Sequence, residues 1–341
     1  MIVSRMPIFL YEESKLAYRL CVSFAKSAEP GSIAFVVGPG GCGKSSLAEN
    51  LPNEVFGNRT TWPMGKIPVV NVVADNGDRG FFTTKSLIES FLKEVMSPFD
   101  VSESDVAKWD VPADIRQAVA SIQRGARDAS ETKLRKAFIG IAIKREVKLI
   151  LIDEANLLVL TQSGRVPTDY VESIRLLAMR IGCAVILLGT VDMLQLMGHS
   201  GQLNRRNLDI HAERMRCETE KSKLEFLSFL AELEKINSLP NGLLTEHASD
   251  IYSATYGIPG EIIGALKRAD IYREANEAET MDWETIRKSF HNKIKRLRMK
   301  AEADLIRAVI EGNPLSKHQK DALKQQGRRN RINPQRLSVG E

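Results

Sequence analysis

Apolar residues change their spacing near residue 216, and that change divides the chain. Before it, unbroken apolar runs alternate with segments of helical period. The runs at 33–37, 67–73, 148–153 and 184–188 predict strands, with Pro63 and Asn76-Gly77-Asp78 bounding the second. Between them, residues 84–96, 112–127, 131–146 and about 169–181 predict helices. An opening helix over 11–27 carries Leu16, Leu20 and Phe24 on one face, and 208–211 is a short β-like stretch. Strands alternating with helices imply a parallel sheet with right-handed crossovers. A polar, acidic connector covers 97–111, inside a long segment, 97–130, that reads as an insertion or docking element. After 216 only helical spacing survives, over 221–236, 245–256, 260–276 and 283–311, with Gly257 and Pro259 as stop and start. The expected organisation is a lead-in helix (1–30), an α/β domain (31–216), a helical lid (217–311) and a disordered tail (312–341).

One connection carries chemistry. Gly38-Pro39-Gly40-Gly41-Cys42-Gly43-Lys44-Ser45 links the first strand to a helix that opens with Ser46, Leu47 and Ala48. Glycines in that setting let backbone N–H groups turn inward around the phosphates of a nucleoside triphosphate. Lys44 then supplies a point charge and the Ser45 hydroxyl a Mg²⁺ ligand. A glycine turn that binds nothing is the bland alternative, and the flanking strand and helix disfavour it. Cys42 reads as a small filling residue, not a redox switch.

A second strand, Leu149-Ile150-Leu151-Ile152, ends in Asp153-Glu154. Asp153 is placed to hold Mg²⁺, and Glu154 to orient and deprotonate an attacking water. The pair favours hydrolysis over storage. Thr190, after Leu187-Leu188-Gly189, is placed to contact the γ-phosphate or the water. Arg205 and Arg206 suggest a finger reaching a neighbouring subunit's γ-phosphate, where developing charge needs a cation; a solvated basic turn is the competing view.

Composition narrows the setting. The 341 residues, 43% of them apolar, can bury two cores. No apolar run reaches membrane-spanning length and no secretory leader is visible. The four cysteines, Cys21, Cys42, Cys183 and Cys217, have no metal or disulfide spacing, so a reducing cytoplasm is expected. Charge is unevenly placed. Residues 287–300 carry seven Lys or Arg and no acid, and 312–341 carry a net +5, so with a total of +5 the remainder holds about −7. A cationic end on an acidic body fits a polyanion such as DNA, or else a solvated helix and a solubilising tail. Arg79, Thr83, Thr84 and Lys85, at a predicted helix start, are candidate phosphate contacts. Without interleaved aromatics, backbone contact that ignores base sequence is the expected mode.

These motifs together resemble an AAA+ ATPase, and within that superfamily the TniB/TnsC-type regulators of DNA transposition. The closer likeness rests on 68–74 (PVVNVVA) followed by Phe82 and the helix through Leu87, Ile88 and Leu92. It rests further on 149–156 (LILIDEAN), and on the lid segment from Phe226, Leu227, Phe229 and Leu230 to 257–263 (GIPGEII). The resemblance covers roughly residues 5 to 280. It implies ATP as the nucleotide, Mg²⁺, and a five-stranded parallel sheet with an all-helical lid. It further implies assembly into a ring or helical filament around double-stranded DNA, with hydrolysis dismantling it. The implied partners are a target-selection protein (TniQ/TnsD-like) and a DDE-type transposase, in the cytoplasm and away from membranes. One departure is that Gly260-Glu261 stands where AAA+ lids often carry a sensor 2 arginine, with Lys267 and Arg268 one or two turns later. Alternatives are another DNA-linked AAA+ protein (a replication initiator or helicase loader) and a P-loop switch that never meets DNA. Loss of binding with rising salt separates the last from the others.

Overall fold

A computed structural model describes residues 11–76, 82–96, 130–160, 167–197, 207–317 and 319. They form two compact units: residues 11–19, 38–46 and 211–314 in one, the remaining described residues in the other.

The second unit is built on a sheet of β1 (Ile33–Val37), β2 (Val69–Val73), β3 (Leu149–Asp153), β4 (Ala184–Gly189) and β5 (Asn207–His211), in the order β2-β3-β4-β1-β5. β2 pairs with β3, β3 with β4 and β4 with β1, each in parallel. Every residue of β1, β3 and β4 is buried, whereas the edge strands β2 and β5 keep half-exposed positions. This explains the runs of Val, Ile and Leu: an inner parallel strand is covered on both faces and has no polar side to show. The topology also puts β4 between β1 and β3, with Thr190 directly after its end. The strand predicted at 67–73 begins only at Val69, because Pro68 has no N–H to give; its carbonyl accepts from Lys148 and Leu149 instead.

The helices, numbered among the described residues, are α1 (Glu12–Ser27), α2 (Lys44–Phe56), α3 (Thr84–Val95), α4 (Glu131–Lys144) and α5 (Pro167–Ile181). α3 buries Leu87, Ile88, Phe91 and Leu92, and Phe91 stacks on Phe138 of α4 with ring centres 5.1 Å apart. The face predicted for α1 holds at Phe24 and is one residue off at the two positions before it. Ala17, Cys21 and Phe24 are buried, while Leu16 is 56% exposed. The predicted helix at 112–127, the connector at 97–111 and the tail beyond 319 lie outside the described residues.

The first unit holds α6 (Glu220–Ile236), α7 (Ala248–Thr255), α8 (Pro259–Ala275), α9 (Trp283–Ser289) and α10 (Lys293–Ile310). Their core gathers Phe226, Phe229, Leu230, Leu233, Ile251, Ile262 and Leu266, together with Tyr11 and Met215. Buried Glu234 takes the backbone N–H groups of Leu244 (2.6 Å) and Thr245 (2.9 Å), so α7 starts at Ala248, later than residue 245. The single helix expected over 283–311 is two. Phe290 is extended, Asn292 caps α10 by accepting from the Lys295 N–H at 3.0 Å, and the Ser289 carbonyl is taken by Arg268 Nε at 2.8 Å. A capping Asn outcompetes the helical bond it replaces.

Candidate nucleotide site

The chain leaves β1 at Gly38, where a side chain is impossible. A Cβ there would lie 2.0 Å from the Ala212 carbonyl oxygen. Gly41 and Gly43 have φ of +84° and +82°, the left-handed region that glycine enters freely. Gly41 also meets α8: its carbonyl accepts the Gly260 N–H at 2.9 Å, and a Cβ on Gly260 would sit 2.5 Å from Gly41 Cα. By contrast, a Cβ on Gly40 or Gly43 would meet nothing within 4 Å. Two glycines are therefore gripped from behind by backbone and two border open space, which makes a cradle whose N–H groups can receive phosphate oxygens.

Lys44 begins α2, so the loop runs straight into N–H groups that have no helical acceptor. The Lys44 side chain is buried and folds back over the loop, Nζ donating to the carbonyls of Gly38 (2.9 Å) and Pro39 (2.7 Å). Ser45 and Ser46 are exposed. Replacing Gly260 by alanine forces its methyl into Gly41 backbone. Overpacking of about 1–3 kcal/mol is expected, read as a melting temperature several degrees lower and a raised KM for nucleotide.

Burial pushes the Cys42 thiol up to about 12 although Lys44 and Arg214 pull the other way, with Glu213 adding to the rise. Cys21 and Cys183 are raised to about 12 and Cys217 to about 11, all mainly by burial. The thiolate fraction of a group at 12 is about one in ten thousand at pH 8 and rises tenfold with each pH unit. Iodoacetamide at pH 8 should thus leave Cys21, Cys42 and Cys183 intact in the native protein and label all four cysteines in guanidinium. Rapid native labelling of Cys42 would contradict this burial.

At the end of β3, Asp153 is 7% exposed and its Oδ1 accepts the Glu154 N–H at 2.8 Å. Glu154 is exposed and adopts φ 51°, ψ 33°, a left-handed backbone costing a non-glycine residue about 1–2 kcal/mol. A strained carboxylate at a strand tip is the kind of outlier that marks function. A 3₁₀ turn, Ala155–Val159, follows. Asn156 is the second residue of that turn. The Asn156 Oδ1 accepts the Thr190 N–H at 3.3 Å and packs so closely that a Cβ on Gly189 would come within 2.8 Å of it. Asn156 thus fastens the end of β4, and Thr190 with it, to the end of β3. An amide just after the acid pair was the available signal.

Other candidates fare differently. Arg79, Arg205 and Arg206 lie outside the described residues. Thr83 caps α3, accepting from the Ser86 N–H at 3.1 Å. Thr84 is buried and its hydroxyl donates to Glu131 Oε1 at 2.7 Å. Lys85 lies 4.0 Å from Glu89. Arg268 is engaged by the Ser289 carbonyl and stands 3.9 Å from Glu261. A cation missed by sequence reasoning is Arg214, just after β5. It donates to Tyr252 Oη (2.7 Å) and the Tyr256 carbonyl (3.1 Å), and its charge is felt at Cys42 within the glycine loop.

Residues 28–197 match the family model of the AAA domain (AAA_22). Among solved structures, the Aeropyrum pernix ORC2 protein in its ADPNP–ADP complexes is similar at 13% identity and a TM-score of 0.55, over 98% of this chain and 90% of that one. The Walker-type ATPase PABY2304 of Pyrococcus abyssi is similar at 17% identity and a TM-score of 0.52, over 94% and 89%. No curated protein sequence matches. At these identities the likeness carries the fold, that of an AAA+ P-loop NTPase. No helix among the described residues is long and apolar enough to cross a membrane.

Proposed function

We propose, with an AAA-type ATPase domain over residues 28–197 as the premise, that this chain is an ATP-driven regulator of DNA transposition of the TniB/TnsC kind. It assembles on duplex DNA without reading base sequence, links a target-selection protein to a DDE-type transposase, and comes apart as ATP is hydrolysed. The observation that carries nucleotide use is the loop of Gly38 to Lys44, gripped on one side and open on the other. The transposition role rests on the motif resemblance, from 68–74 through 149–156 to 257–263.

Each residue has a definite task in this reading. Lys44 exchanges the Gly38 and Pro39 carbonyls for the β- and γ-phosphate oxygens of ATP. The Ser45 hydroxyl and the Asp153 carboxylate are hard oxygen donors and suit Mg²⁺, which supplies neutralisation of phosphate charge. Glu154 orients a water and takes its proton, while Thr190 hydrogen-bonds to that water or to the γ-phosphate. Arg205 or Arg206 from a neighbouring copy stabilises the charge that develops on transfer.

Electron microscopy of the full chain with duplex DNA and a slowly hydrolysed ATP analogue tests the assembly. Rings or filaments along the duplex, with hydrolysis stimulated by DNA, are the expected result. A chain that stays single and hydrolyses nothing with both present overturns the reading. A replication initiator or helicase loader would share the nucleotide chemistry, and failure to retain a cognate transposase on DNA would favour it.

A further inference from the structure

Several cations on the helices of this unit pair with a nearby acid. Lys15 faces Glu12, Lys223 faces Glu220, Arg273 faces Asp270 and Arg287 faces Glu284, each three residues away. The start of α10 breaks that habit. Residues 293–301 read KIKRLRMKA, with five cations and no acid. Lys293, Lys295 and Arg298 are exposed and make no ion pair among the described residues. Lys300, also exposed, lies 5.8 Å from the Tyr256 ring, and the Arg296 Nε is buried with no hydrogen-bond partner.

This arrangement works against the helix that carries it. The first turn of α10 has no acidic residue, and cations there oppose the helix dipole. Lys293 with Arg296, and Lys295 with Arg298, are like charges at i,i+3, and Arg296 with Lys300 at i,i+4, spacings at which they repel. Such a stretch becomes favourable when a polyanion neutralises it. At 100° per residue, Lys293 and Lys300 fall on one side of the exposed Ile294 and Leu297, and Arg298 and Lys295 on the other. Five cations against two exposed apolar residues, Ile294 and Leu297, is a balance that suits the charge of a phosphate backbone better than a bilayer, which needs a broad apolar face.

We infer that the first two turns of α10 are a contact surface for the phosphodiester backbone of duplex DNA, with Lys293, Lys295 and Arg298 as its phosphate ligands. This rests on the reading of the chain as a DNA-binding ATPase and moves the contact away from the start of α3. The surface reads charge only, so it tolerates any base sequence.

The test is fluorescence anisotropy of the full chain on a labelled duplex, with a slowly hydrolysed ATP analogue, across a salt series. The triple variant Lys293→Ala, Lys295→Ala, Arg298→Ala should bind at least tenfold more weakly. The slope of log affinity against log salt should flatten by about 3, one for each lost phosphate contact. Lys26→Ala, Lys133→Ala, Lys136→Ala, which removes as many exposed cations elsewhere, should bind as the parent does, and Lys293→Arg, Lys295→Arg should retain affinity. The melting temperature of the alanine triple should hold or rise, because the deleted charges oppose the helix. Equal affinity and slope in the alanine triple overturn the surface while leaving DNA binding standing. No duplex binding by the parent chain at any salt removes the DNA reading and the surface together. Capture by phosphatidylserine vesicles that the triple variant loses, with duplex binding unchanged, also overturns it.

Discussion

Replacing Lys44 with alanine is expected to weaken ATP binding by at least a hundredfold, measured by calorimetric titration, and to abolish assembly on DNA with it. The ammonium is the loop's own side-chain cation, and a charge-assisted contact to phosphate contributes about 3 kcal/mol, roughly a factor of 100. The change also touches the free protein. Lys44 holds the Gly38 and Pro39 carbonyls at 2.9 and 2.7 Å, so the variant loses two hydrogen bonds before any ligand arrives. The two losses separate by experiment. A melting temperature near that of the parent together with absent binding assigns the defect to the missing charge. Normal binding in the alanine variant would remove Lys44 from the site.

Glu154→Gln should leave ATP binding intact while lowering hydrolysis about 100- to 1000-fold, the usual worth of a positioned general base. Glutamine keeps the length and shape of glutamate and adopts the same left-handed backbone, so the turn into Ala155–Val159 should survive. What changes is the proton acceptor. The variant should therefore accumulate as an ATP-loaded assembly that persists on DNA, visible by single-turnover hydrolysis and by electron microscopy. Hydrolysis at the parental rate would move the base elsewhere.

The strands and the loop were readable in the sequence because their signals are local. An inner parallel strand needs apolar residues on both faces, and β1, β3 and β4 spell that out in consecutive letters. The glycines, Lys44 and the acid pair likewise sit within a few residues of one another. Weaker signals misled. The buried stripe of α1 uses Ala17 and Cys21, small residues that the bulkier Leu16 outshines although it faces water. The break before α10 depends on Asn292, a polar residue whose capping role shows only in three dimensions. Thr84 looked like a helix-start donor until Glu131, far along the chain, claimed its hydroxyl. The grip of Ala212 on Gly38 and of Gly260 on Gly41 joins distant stretches of sequence, and no window of neighbouring residues contains both halves. The left-handed backbone of Glu154 is equally silent, since a glutamate, unlike a glycine or an asparagine, does not advertise a positive φ.

The loop of residues 38–46 groups with 211–314, not with the strand that delivers it. A protein cut short near residue 210 would therefore keep all of its inner strands and its whole glycine motif yet lose what shapes that motif. Such a fragment should fold its sheet and fail to retain nucleotide, and the portion C-terminal to the cut is as much a part of fuel capture as the motif that bears the glycines.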